Sequence, residues 1–156
     1  MSNDIRIVRE YPHARAKVWK ALTEPAIMAL WGMRPEGFAP VVGTRFKFVG
    51  KSNPGWRGYV ECEVTEVREP NVLAYSWVGN DGAEPLHVKY TLEDTPGGTR
   101  LVVEQVGFTG LGGFLLSKLM MGPGWKKTLN HAMPNVLADL LDDGTLRSGS
   151  TLRPMF

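Results

Sequence analysis

WKKTLNHAMPNVLADLL, residues 125–141, decides the architecture. At about 100° per residue, Trp125, Leu129, Ala132, Met133, Val136, Leu137 and Leu140 gather on one side of a helix. Lys127, Asn130, His131 and Pro134 lie mostly away from the centre of that stripe. Pro134 removes the hydrogen bond to the Asn130 carbonyl and its ring crowds that carbonyl. The stripe nevertheless keeps its phase across the proline, so one kinked helix is expected rather than two. A helix this apolar on one face needs a surface to cover, and the preceding chain supplies it.

Working backwards, TRLVVEQV (99–106), LHVKYTLED (86–94), VLAYSW (72–77), GYVECEVTEV (58–67) and TRFKFV (44–49) alternate apolar and polar residues. A period of two with charge on one side gives strands with one wet and one dry face. TPGG (95–98) and Glu69-Pro70-Asn71 are turn chemistry between them. DIRIVREY (4–11) is a first strand ended by Pro12. RAKVWKAL (15–22) and AIMALW (26–31) are short helices, the second opened by Pro25 in its first turn. Residues 32–43, rich in Gly and Pro, are assigned to loop. The order is strand, two short helices, five strands and a long helix. Short turns between consecutive strands give an antiparallel meander, and the sheet has to curl around the only long helix. The expectation is α+β: a curved sheet of six to seven strands wrapped on a C-terminal helix. One domain over residues 1–141 is expected, followed by a loop-like, partly disordered tail, 142–156.

Composition narrows the function. The 156 residues carry a net charge of +2, and 22% are charged, with both signs interleaved. No basic run forms a nucleic-acid patch. No apolar run approaches the ~20 residues of a membrane-spanning helix, so membrane insertion is not expected. MSNDIRIVRE has no signal-peptide core. A single cysteine, Cys62, forms no intramolecular disulfide, and a reduced, cytoplasmic setting is expected.

Strand alternation puts Phe46, Phe48, Val60, Cys62, Tyr75, Trp77, Val88, Tyr90, Leu101, Val103 and Gln105 on the concave face. They either pack solidly against the helix or, because wide rings opposite one helix leave gaps, line a cavity. Tyr75, Tyr90, Gln105 and Cys62 would be its polar members. Trp31 from the second short helix, Phe38, Trp56 and Phe108 from the loops, Trp125, Leu129 and Met133 from the long helix, and Phe114 and Met121 ahead of it complete the candidate ligand-binding set. Cys62 has no basic neighbour to lower its pKa and is assigned to the core as a small hydrophobe. The three histidines lack the spacing of a metal site, and neither metal nor cofactor is expected. No paired acid and base marks a catalytic centre.

GGFLLSKLMMGPGW (112–125) stands apart: residues 114–121 have only Ser117 and Lys118 as polar members, between glycines at 112, 113, 122 and 124. A core plug and a lid over the pocket both fit, the lid built from Phe114 to Met121 as one or two helical turns swinging on those glycines. A homodimer contact and a membrane contact also fit.

IRIVREYPHARAKVWKALTEP, GTRFKF, GYVECEVTEVREPNVLAYSW, VKYTLEDTPGGTRLVVEQVGF and GW occur in that order over residues 4–141. Together they resemble the family named for the C-terminal domain of the activator of the heat-shock protein ATPase, within the START-like helix-grip (SRPBCC) superfamily. The resemblance implies a sheet gripping a C-terminal helix with an apolar cavity between them. It implies binding of a small hydrophobic or aromatic molecule, with two alternatives. One is an enzyme such as a cyclase, dehydratase or hydrolase; the other is a stress-related co-chaperone with a chaperone partner. Many relatives carry His where this chain has Gln105, so a role resting on that His lapses here.

Overall fold

The computed structural model describes residues 3–156. Seven strands form one antiparallel sheet in the spatial order β1-β7-β6-β5-β4-β3-β2. They are β1 (Ile5–Tyr11), β2 (Arg34–Glu36), β3 (Arg45–Val49), β4 (Tyr59–Arg68), β5 (Val72–Trp77), β6 (Leu86–Thr95) and β7 (Gly98–Val106). The meander is as expected, and β1 closes onto the last strand with Ile7 opposite Val103. The seventh strand, β2, lies in the stretch assigned to loop. Its three residues pair with Lys47–Val49 at the sheet edge, where Pro35 withholds no hydrogen bond a central strand would need. The register shifts between Val64 and Glu66, so β4 bends as it passes from β3 to β5 and the sheet curls.

α1 (Arg15–Thr23) and α2 (Pro25–Trp31) close one end, with Val18, Leu22, Ile27 and Met28 buried. Trp31 Nε1 donates to the Ala21 carbonyl at 2.8 Å and ties the two together.

The gripping helix is longer than its apolar stripe. It runs without a break over residues 110–139, with right-handed helical dihedrals at every internal junction. Two π-helical stretches, Leu116–Met121 and Thr128–Ala132, interrupt its α-helical hydrogen bonding. Each is followed by an X-Pro pair: Gly122-Pro123 and Met133-Pro134. In each, the residue before proline donates five residues back, Gly122 to Ser117 and Met133 to Thr128. Widening the turn moves the proline ring off the carbonyl it would otherwise strike. The distortion expected at Pro134 is therefore a π-turn, and Pro123 makes a second.

The second π-turn leaves a debt that the sheet settles. With Met133 bonded to Thr128, the Leu129 carbonyl faces Pro134 in the same register, and proline has no N–H. The Tyr11 hydroxyl of β1 donates to that carbonyl at 2.6 Å. Burial raises the Tyr11 pKa above its ordinary value, so it stays a donor through neutral pH. Tyr11→Phe strands a buried acceptor and is expected to cost about 1–3 kcal/mol in urea unfolding, with far-UV dichroism unchanged.

The predicted stripe is the core contact: Trp125, Leu129, Met133, Val136, Leu137 and Leu140 are buried in the core, and Ala132 is half-buried against it. The tail, residues 142–156, folds back on the domain. Asp139 accepts from Arg147 Nε at 2.7 Å and from Ser150 Oγ at 2.8 Å. The Met155 amide then bonds the Ala29 carbonyl of α2 at 3.1 Å.

Candidate functional site

A cavity of about 590 Å³ lies between the sheet and the long helix. Its floor is aromatic. β3 supplies Phe48, β5 supplies Tyr75 and Trp77, and β6 supplies Tyr90, one side of each strand facing inward by alternation. Leu30, Trp31 and Met33 close the α2 end, and Trp125 and Ala132 face the floor from the helix. Leu152, Met155 and Phe156 of the tail stand across the mouth.

The rings touch in sequence. Phe46 meets Phe48 at 5.2 Å and Tyr75 at 5.4 Å between centroids; Tyr75 meets Tyr90 at 5.8 Å, and Tyr90 meets Trp125 at 6.0 Å. Edge-on and tilted rings hold one another rigid. A wall of such rings does not collapse inward as flexible aliphatic chains would.

Inside this apolar wall the Tyr75 and Tyr90 hydroxyls bond each other at 2.6 Å. Burial is the main cause that raises both pKa values, so both phenols are neutral at physiological pH. Two phenols sharing one hydrogen bond keep one O–H uncommitted. The pair can donate to an acceptor on an occupant. Behind the wall, Trp125 Nε1 donates to Gln105 Oε1 at 2.8 Å, fixing the indole plane. Gln105 Nε2 is buried without a hydrogen-bond partner among the described residues.

Of the residues marked from sequence, Trp31, Phe48, Tyr75, Trp77, Tyr90, Met121 and Trp125 meet at the cavity. Phe38, Phe46, Cys62, Gln105, Phe108, Leu129 and Met133 are buried in the packing around it and do not line it. Burial pushes the Cys62 thiol pKa up, in keeping with a core role. Trp56 is half-buried elsewhere, its Nε1 on the Gly79 carbonyl at 3.1 Å. Phe114 is exposed and off the cavity.

The segment 114–121 is thus no hinged lid. It is the first half of the long helix, and Gly122 and Gly124 lie within the helix rather than at swinging joints. Met120 and Met121 form part of the cavity rim, while Phe114, Leu115 and Leu119 face outward.

Sequence reasoning missed Leu30, Met33, Lys127, Thr128, His131 and Asn135, and the three tail residues. On the helix, 120, 124, 128, 131 and 135 form a row beside the apolar stripe. That row was visible as a helical period, but nothing local tells a cavity wall from a solvent face. In the tail, the apolar Leu152, Met155 and Phe156 after a polar stretch were a usable signal.

A curled antiparallel sheet closed over one long helix, with an aromatic cavity between, defines a helix-grip domain. The chain belongs to the family of activator of Hsp90 ATPase homolog 1-like proteins, whose model matches residues 12–138. Among solved structures it is similar to protein MLL2253 from Mesorhizobium loti, at 28% identity and a TM-score of 0.72, covering 86% of this chain and 96% of that one. CalU16 from Micromonospora echinospora is 23% identical with a TM-score of 0.67, over 86% of this chain and 76% of that one. DynU16, from the dynemicin biosynthetic locus, is 20% identical with a TM-score of 0.72; the match covers 88% of this chain but 48% of DynU16. Comparison with curated proteins gives no match.

Proposed function

We propose that the protein binds a small aromatic or hydrophobic molecule carrying one oxygen acceptor, in the cavity between sheet and helix. The observation behind this is a 590 Å³, mainly apolar space with the Tyr75–Tyr90 hydroxyl pair set in its aromatic wall. That volume is within the ~300–1,000 Å³ typical of small-molecule sites, which are apolar with a few placed polar groups. The rigid rings keep the cavity formed before a ligand arrives, which lowers the ordering cost of binding.

Three of the five tryptophans, Trp31, Trp77 and Trp125, line the cavity. Titration with naphthol is therefore expected to change tryptophan emission saturably, with one molecule bound per chain. Emission that drifts without saturating, together with native mass spectra of the ligand-free mass alone, would end this reading.

An enzymatic reading has one observation of its own: His131, with Thr128 and Asn135, stands on the polar side of the wall. A histidine there can act as general acid or base toward a bound substrate. It separates from simple binding by a new product appearing on incubation, lost in His131→Ala with naphthol binding retained.

A further inference from the structure

The first half of the long helix is turned inside out. Ser117 is its one buried residue between 110 and 121, 2% exposed, its hydroxyl donating to the Asn3 carbonyl at 2.6 Å. Leu116 and Met121 pack against the core, but its other apolar side chains are outside: Leu111 is 74% exposed, Leu119 69% and Met120 67%, with Phe114 and Leu115 beside them. Neighbouring strands and helices bury their apolar side, so this face is not explained by folding.

The charge along it is of one sign. From Gln105 to Ala138 the sequence has no Asp or Glu, and Lys118, Lys126 and Lys127 are all exposed on this helix.

We propose that this face docks on an anionic phospholipid surface, the helix lying along it with Leu111, Phe114, Leu115 and Leu119 in the acyl boundary and the lysines at the headgroups. Apolar side chains flanked by lysines are the chemistry of an interfacial helix. The long lysine stems rest on apolar surface while their ammonium groups reach phosphate. A second copy of the chain fits less well, because it would face three lysines with three more and no acid between residues 105 and 138 to receive them. A specific protein interface is depleted in Lys and needs about one hydrogen bond per 100–200 Å². This face offers Leu, Phe, Met and Lys, with no side-chain acceptor besides the buried Ser117. A fluid lipid surface asks for neither shape nor hydrogen-bond complementarity. The helix lies on the surface and does not cross it; no helix among the described residues is long and apolar enough to span a membrane.

The test is co-sedimentation of the full chain with phosphatidylcholine vesicles, with and without phosphatidylglycerol. Binding is expected only with phosphatidylglycerol, and weakening as salt is raised. Lys118→Glu with Lys126→Glu should lower the partition coefficient by about thirtyfold or more. Leu115→Glu with Leu119→Glu should lose sedimentation while leaving thermal stability and naphthol binding intact, since neither side chain is buried or lines the cavity. Equal binding to both vesicle types overturns the proposal, as does none to either. So does a concentration-dependent dimer in sedimentation velocity that the same leucine variant dissolves, which would assign the face to a second copy.

Discussion

Gly124→Leu is expected to raise the melting temperature and weaken cavity binding in the same molecule. Gly124 lies inside the long helix and lines the cavity, and a Cβ built on it meets nothing within 4 Å. Glycine in a helix interior is about 0.8–1 kcal/mol less favourable than alanine, and leucine is nearly as good a helix former as alanine. The gain corresponds to about 2–4 °C for a chain of this size. The position therefore gives up helix stability and keeps open space beside Met120, Met121 and Thr128. A leucine there competes with any occupant, and crowding of about 1–3 kcal/mol weakens naphthol about 5- to 150-fold. Scanning calorimetry and the fluorescence titration read the two effects separately. Unchanged affinity in a stabilised variant would place the ligand away from this cavity. The neighbouring Gly122 behaves oppositely: its Cβ would stand 2.9 Å from the Ser117 carbonyl that the π-turn brings close.

Gly98→Ala is expected to cost more than about 4 kcal/mol and to leave little folded protein at 37 °C. A Cβ on Gly98 would stand 2.0 Å from the Tyr11 carbonyl oxygen, 2.8 Å from the His13 amide nitrogen and 3.0 Å from the Pro12 Cα. All three are backbone atoms, and Thr99 Oγ1, bonded to the His13 carbonyl at 2.7 Å, holds them in place. Nothing flexible can yield. The clash forces β1 off β7, and Tyr11 leaves the Leu129 carbonyl with it. Gly97→Ala, one residue earlier in the same turn, meets nothing within 4 Å and serves as the control; urea unfolding of the pair should differ by most of the Gly98 effect. Comparable loss in both variants would mean that the turn's flexibility matters rather than the close approach.

The fold was largely legible because its signals are local and periodic. Phe46 and Phe48 alternate with Arg45 and Lys47, and that alternation alone put both rings on the buried face. The helical stripe survived Pro134 because a π-turn absorbs the proline without changing which side chains face inward. The extent of the helix was not legible. Glycines 112, 113, 122 and 124 have low helix propensity, and a local reading makes them hinges. Packing overrides that propensity: Gly113 lies so close to Phe108 that a Cβ would stand 2.9 Å from its backbone. β2 was missed because three residues containing a proline carry too little pattern to mark an edge strand.

The site divides along the same line. Tyr75, Tyr90 and Trp125 could be chosen from sequence because they are wide rings on faces already known to be buried. Gln105 was chosen with them, yet it ends behind the wall, holding Trp125 through a 2.8 Å hydrogen bond. Strand alternation says that a residue faces inward; it does not say whether packed atoms or empty space meets it there.

By itself, then, the sequence determined six alternating strands, the inward face of each, and one stripe that had to be covered. Those follow from repeats of two and 3.6 residues, which any short window contains. The tertiary structure alone decided where packing stops short: the cavity under Tyr75 and Tyr90, the tail laid across its mouth, and the leucines left outside on the long helix. Each depends on distances between elements far apart in the chain, and no window of sequence contains a distance.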